Sequence, residues 1–403
     1  MAPLSVLTPG FAKLFAGFLL CTLSVNLLSL TPYYLELRGA GELLYGTAAG
    51  MHGLAGVAAV ALLGGQADRL SRRGASLRYF ALSILGNLLA LLAMNWHPAS
   101  YLLPLALQGA AFGVGLPVLF VWASELCPPE RRTEAFAWFG IAGLVGDSLG
   151  PLLAEMLLAA QARPNTPGAF FAVFVAANVL CPLGLACFAR VPNVIPAAST
   201  AEDHEGLMGL LRSPCLRASL LATMAFGGAL GVMLSLGKNF VAGIGLQFVS
   251  VLLAGHTVGA LTSRVLLPWI LARAERPRLI TGAFAGVVTS MLLLSATRGY
   301  ALLALSGLVY GVSHGVLFPT LLSRVIDFSA ESAAGRVTSL YMGVFGMGFG
   351  LMPILGGAVL KVAGFPSLFR LIALCCAGGL LLARLAERLR AQETAMLSGP
   401  VLD

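Results

Sequence analysis

Between Leu43 and Ala67 the chain runs for 25 residues without one Asp, Glu, Lys or Arg, and it then enters a tight basic turn, GGQADRLSRRG, from Gly64 to Gly74. An apolar run of that length is long enough to cross a hydrocarbon core as a helix, which takes about 20 residues. Similar runs recur down the chain, separated by short loops that collect the arginines. Charged residues make up only 10% of the sequence, against roughly 25% in a soluble domain. A water-soluble fold with one core is excluded. Helices are favoured over a β-barrel, because barrel strands alternate in polarity and are about half as long as these runs. The expectation is an all-α membrane protein.

Charge-poor segments of spanning length run from about 11–31, 45–64, 78–95, 101–122, 135–158 and 169–189, then from about 217–236, 245–267, 279–297, 301–322, 337–360 and 367–386. That makes twelve transmembrane helices. Of the 25 Lys and Arg, nineteen fall on the side of the basic turn and six (Arg38, Arg163, Lys238, Arg298, Lys361 and Arg370) on the other. Cytoplasmic loops hold the excess of positive charge, so both termini and the basic turn are expected in the cytoplasm. A formal charge of +8 distributed in this way orients a protein in a bilayer and does not imply nucleic acid. No cleavable signal peptide is expected, since the segment from Phe11 is long enough to span. The seven cysteines contain no C-x-x-C and sit mostly in apolar runs, as small buried hydrophobes do; neither a metal site nor a cofactor is expected.

The longest hydrophilic segment, Arg190 to Pro214, divides the spans six and six. It gives an N-terminal half (1–190), a cytoplasmic linker (191–214), a C-terminal half (215–390) and a cytoplasmic tail (391–403). Within the linker, EGLMGLLRS reads as a short amphipathic surface helix. The halves also resemble each other. LQGAAFGVGLPVLF (Leu107–Phe120) matches LSGLVYGVSHGVLF (Leu305–Phe318) at an offset of 198, and GDSLGPLLAE from Gly146 matches GFGLMPILGG from Gly348 at 202. The basic turn has a counterpart in which Asp68 falls opposite Ala272, Arg69 opposite Arg273 and Arg72 opposite Arg276. Two pseudo-symmetric six-helix halves are the architecture of a transporter that rocks about a central site.

Twelve spans with G-x-x-x-D-R-x-x-R-R between helices 2 and 3 resemble the major facilitator superfamily (MFS). Gly64, Asp68, Arg69, Arg72 and Arg73 fill that signature, with Ser71 where the family usually has glycine. The resemblance implies that this loop is a conformational latch. Gly146, Gly150 and Pro151 resemble the G-x-x-x-G-P antiport motif of family exporters, with Ala154 and Glu155 in place of the glycines that usually follow. Together with PPERR (Pro128–Arg132) and TPYYLEL from Thr31, this is similar to bacterial arabinose-efflux-like permeases and opine-metallophore exporters. Many proton antiporters of the family carry an arginine where this chain has Leu105.

Ionisable groups inside spans are costly and so are candidates for function. Asp147, between the glycines of the antiport motif, is a candidate for proton coupling, or else a carboxylate hydrogen-bonded at a packing seam. His52, His256 and His314 are the other proton candidates, and His52 and His256 stand at equivalent positions 204 residues apart. A packing role competes for each. Glu155 is expected to reach water at the outer end of helix 5. Tyr33, Glu36, Lys238 and Asn239 are expected at the mouth of a cavity lined also by Asn26 and Gln108; interfacial anchoring is the other reading of the tyrosines. Asn178 adds a further hydrogen-bonding group.

G-x-S-x-G, a phosphate-binding G-K-[ST] loop and H-E-x-x-H are all absent, so no enzyme activity is expected and transport must be secondary. The reading is a monomeric proton-coupled exporter of a small polar or amphipathic organic molecule, with the proton gradient as driving force and only lipid and substrate as partners. An importer of a metabolite, nutrient or metal complex on the same fold is the alternative. A sensor or scaffold that no longer transports is less consistent with a complete basic signature.

Overall fold

The computed structural model describes residues 8–67, 70–128, 131–194, 212–328 and 334–397. Asp68 and Arg69, Pro129 and Glu130 of PPERR, and most of the linker with its EGLMGLLRS segment lie outside the described residues. All regular elements among the described residues are helical. They are α1 (Pro9–Leu37, with a 3-10 turn at Leu28–Leu30), α2 (Glu42–Ala67), α3 (Arg72–Leu92), α4 (Leu102–Glu125), α5 (Arg132–Ala159) and α6 (Phe170–Ala189). After the linker come α7 (Pro214–Gly243), α8 (Ser250–Leu271), α9 (Arg276–Ala296), α10 (Tyr300–Asp327) and α11 (Ala334–Leu397).

Eleven stretches of the described residues are long and apolar enough to cross a membrane. The last, Val337–Gln392, has 56 residues, and a straight helix of that length would measure about 84 Å against a core of about 30 Å. It is broken at Gly364, whose φ of 70° lies where a Cβ is disfavoured. Pro366 follows in the first turn of the next segment, a position that suits its missing N–H. The twelve expected spans thus appear as eleven helical stretches, the last in two parts.

Helix starts follow local chemistry. The Thr8 side chain accepts from Phe11 N at 3.2 Å ahead of Pro9, and Ser71 accepts from Gly74 N at 3.2 Å to start α3 out of the basic turn. Prolines 117, 151, 182, 268 and 319 lie inside helices, as spanning helices tolerate where neighbouring groups satisfy the freed backbone.

The chain forms two compact units. One comprises Met1–Ser199 with Gly231–Leu253 and Gly350–Val362, and the other Thr200–Leu230, Ala254–Phe349 and Ala363–Asp403. The first unit therefore includes the later part of α7, the start of α8 and a stretch of α11. Its core at the basic-turn end is aromatic: Phe11, Phe18, Phe80, Trp122, Phe139 and Phe188 are buried together, with Phe18 stacked on Phe139 at 5.0 Å. In the second unit Phe226 meets Phe345 at 5.4 Å and Phe284 at 6.5 Å.

Glycines set the helix crossings, because in lipid close backbone approach replaces the hydrophobic drive for pairing. A Cβ on Gly109 would collide with the carbonyl of His52, and one on Gly311 with the carbonyl of His256. Gly113 meets Gly56 as Gly315 meets Ala260, and Gly146 meets Thr22 as Gly348 meets Met224. The α4 and α10 pairs lie 202 residues apart, as do Pro117 and Pro319. The sequence match of Leu107–Phe120 with Leu305–Phe318 at 198 is therefore displaced by one helical turn from the structural equivalence.

Candidate functional site

Four polar centres interrupt the apolar helices. The first lies in the first unit at the helix ends away from the basic turn. Glu155 of α5 is 3% exposed, and its Oε1 lies 2.7 Å from Lys238 Nζ of α7. The same carboxylate accepts from Val249 N at 2.8 Å and Ser250 N at 3.1 Å, placing a negative charge at the N-terminus of α8. The expectation that Glu155 reaches water fails because these three donors meet inside the protein. Lys238 also donates to the Gln247 carbonyl and stands 5.4 Å from the centre of the Tyr33 ring. Next to it, Asn239 Nδ2 donates to Glu36 Oε2 at 2.6 Å, while Asn239 Oδ1 is buried without a partner among the described residues.

The second centre is at mid-span. Asn26 Nδ2 donates to Asp147 Oδ1 at 3.2 Å and to the Thr22 carbonyl at 3.0 Å. Gly146 and Gly150 press against Thr22 and Asn26, so the antiport-type motif is the seam of α5 on α1. Pro151 lacks the amide that would otherwise donate to the Asp147 carbonyl, and Ser148 Oγ turns to the Leu253 carbonyl at 2.8 Å. A partly buried carboxylate thus sits in a locally loosened helix.

The third is a buried network. Asn87 of α3 donates to Ser24 Oγ at 2.9 Å and to the Ala177 carbonyl at 3.1 Å, and Gln108 Nε2 donates to Asn87 Oδ1 at 2.7 Å. Because the Ala177 carbonyl can only accept, Asn87 must present its amide there and its oxygen to Gln108. That choice leaves Gln108 Oε1 as a buried acceptor without a partner among the described residues. Asn178 donates to the Asn87 carbonyl at 2.9 Å. Asn87 is invisible as a candidate in the sequence, since nothing there shows which face of α3 it occupies.

The fourth centre is in the second unit. His256 Nε2 and His314 Nδ1 are 2.8 Å apart with rings stacked at 8°, and Tyr310, Phe226 and Phe318 surround them. Among the described residues, His256 Nδ1 and Tyr310 Oη are buried without partners. The first unit holds the matching crossing, with Phe112 in the place of His314: His52 faces that ring at 6.1 Å, and its Nε2 is buried without a partner among the described residues.

Of the signature residues in the basic turn, Gly64, Arg72 and Arg73 are described. Arg72 grips Glu125 of α4 with two nitrogens at 2.9–3.2 Å, a bidentate geometry suited to arginine. Arg73 donates to the Val191 carbonyl at 2.8 Å. The duplicated turn repeats the first pairing, Arg276 Nη1 lying 2.9 Å from Asp327 Oδ2. Glu125 and Asp327 are 202 residues apart, a pairing that the repeat could have revealed. Among the described residues no three His, Cys, Asp or Glu side chains gather as metal ligands would.

A profile of the Major Facilitator Superfamily matches residues 14–344. The chain belongs to this family. It is an integral membrane transporter and not an enzyme. Solved superfamily structures share the fold at low identity. The nucleoside transporter NupG is 15% identical with a TM-score of 0.75, over 94% of this chain and 98% of that one. A peptide transporter, POT, is 15% identical with a TM-score of 0.76, over 94% of each. The human organic anion transporter MFSD10 (TETRAN) is 19% identical with a TM-score of 0.66, over 93% of this chain and all of that one. A comparison with curated protein sequences gave no match.

Proposed function

We propose that this transporter exports a small polar or amphipathic organic molecule in exchange for protons, by alternating access, from a bacterial cytoplasm that holds both of its termini. The observation that carries the proton part is the His256–His314 pair. One imidazole donates and the other accepts across 2.8 Å, so the pair shares a proton already and can take up a second at an outer nitrogen. A buried imidazolium without hydration or a counter-charge is costly. Proton uptake therefore favours the arrangement that wets the pair. Asp147, hydrogen-bonded to Asn26, offers a second proton site on the opposite side of the duplication.

Glu155 with Lys238, and Glu36 with Asn239, supply the outer closure of the pathway in this reading. Opening that end means separating a buried ion pair, and the substrate's polar groups take over the freed partners. Nucleosides, peptides and organic anions are the cargo of the three structural neighbours, and all fall within the proposed class of small polar solutes. Export rests on the antiport-type motif on α5 and the resemblance to efflux members.

The test has two parts. Metabolite profiles of cells and medium from a deletion strain should show a solute accumulating inside; depletion inside would mean import. With that solute in proteoliposomes, a pH gradient should drive flux. Flux indifferent to the gradient, or unchanged in both Asp147→Asn and His256→Gln, would remove proton coupling.

A further inference from the structure

In the second unit a groove of about 540 Å³, open mouth included, runs between the start of α9 and the part of α11 beyond Gly364. Pro277, Ile280 and Ala383 form its apolar floor, and Thr281, Arg384 and Arg388 its polar rim. The one acid there, Glu387, is already neutralised, since Arg324 reaches its two oxygens at 2.6 and 2.5 Å. Arg384 makes only a long contact, 3.5 Å, with Thr281 Oγ1. Neither Arg384 nor Arg388 has an acidic partner among the described residues.

The same helix carries exposed leucines on the span side of this groove. Leu374 and Leu381 are 69% and 64% exposed and stand seven residues apart. Seven more residues lead to Arg388, with Arg384 one turn before it. Two helical turns per step keep these side chains on one face. The related junction of the first unit is covered: Arg73 N donates to Asn193 Oδ1, Arg73 Nη2 to the Val191 carbonyl and Arg72 N to the Val194 carbonyl. The groove beside α9 has no such backbone cover among the described residues.

We infer that this groove binds an anionic phospholipid, with the phosphate on Arg384 and Arg388 and an acyl chain along Leu381 and Leu374. Basic pockets between spanning helices recognise charged headgroups in this way. The apolar track distinguishes a lipid from free phosphate, which would need the arginines alone.

The purified full-length protein, titrated with phosphatidylglycerol or phosphatidylcholine and followed by native mass spectrometry, should retain phosphatidylglycerol selectively. Arg384→Gln with Arg388→Gln should weaken that retention about 30-fold, and Arg278→Gln, which lies outside the groove, less than about twofold. The double lysine replacement keeps the charge and should retain the lipid within a few-fold, which separates a binding effect from a folding one. Equal retention of the two lipids, retention unchanged by the double glutamine variant, or displacement by millimolar inorganic phosphate would each overturn the inference.

Discussion

Glu155 and Lys238 illustrate how one side chain fixes the chemistry of its neighbours. Their ion pair is closed over by protein, and a buried pair adds little net stability while losing one partner is expensive. Lys238→Met should therefore destabilise the protein by about 3–5 kcal/mol, because it strands a buried carboxylate. Glu155→Gln with Lys238→Met should recover most of that loss in thermal unfolding, since it removes both charges together. Additive losses would mean the pair is not coupled. The histidines differ in the same residue-level way. His52→Phe should leave the pH dependence of flux unchanged, because Phe112 gives His52 no proton partner, whereas His314→Phe should flatten it. Equal effects in a proteoliposome pH series would defeat this distinction. Sequence grouped Tyr33, Glu36, Lys238 and Asn239 at one cavity mouth, but the partner that buries Lys238, Glu155, comes from 83 residues away. Hydropathy is a local signal and cannot show which charge meets which.

At the scale of elements, the crossings of α2 on α4 and α8 on α10 are built alike and should respond alike. Gly109→Ala and Gly311→Ala each push a methyl group into a histidine carbonyl, and overpacking of this kind costs about 1–3 kcal/mol. Gly143→Ala, where a Cβ would meet nothing within 4 Å, should change the melting temperature little. A neutral Gly311→Ala in detergent melts would contradict the crossing geometry. These crossings also show how far the duplication was legible. The match of Leu107–Phe120 to Leu305–Phe318 correctly paired α4 with α10, yet its register was four residues short of the 202 that relates Gly109 to Gly311 and Pro117 to Pro319. Glycines at i and i+4 occur in both helices, so sliding one turn still superposes glycine on glycine. The prolines at 117 and 319 favour 202, and the carbonyl that each glycine touches confirms it. The spans themselves were plain in the sequence, because each must satisfy the same requirement of length and polarity.

For the whole molecule the decisive question is whether the helix ends joined by Glu36 and Asn239 must part in each cycle. Both residues lie in the first unit, which gathers Gly231–Leu253 and Gly350–Val362 with the N-terminal half of the chain. Their side chains are within hydrogen-bonding distance, 2.6 Å, which leaves cysteines at the two positions, with their shorter side chains, within reach of a short reducible bifunctional reagent. If alternating access opens the pathway at this end, Glu36→Cys with Asn239→Cys, made in a background lacking the seven native cysteines, should lose most of its flux on cross-linking. Reductant should restore it by cleaving the reagent, and each single cysteine should be indifferent to the reagent. Substrate binding measured on the linked protein should survive, because the link holds one state and does not occupy the pathway. Full flux through quantitatively linked protein would show that this end stays closed throughout, and the buried Glu155–Lys238 pair would then be a structural clamp and not a gate.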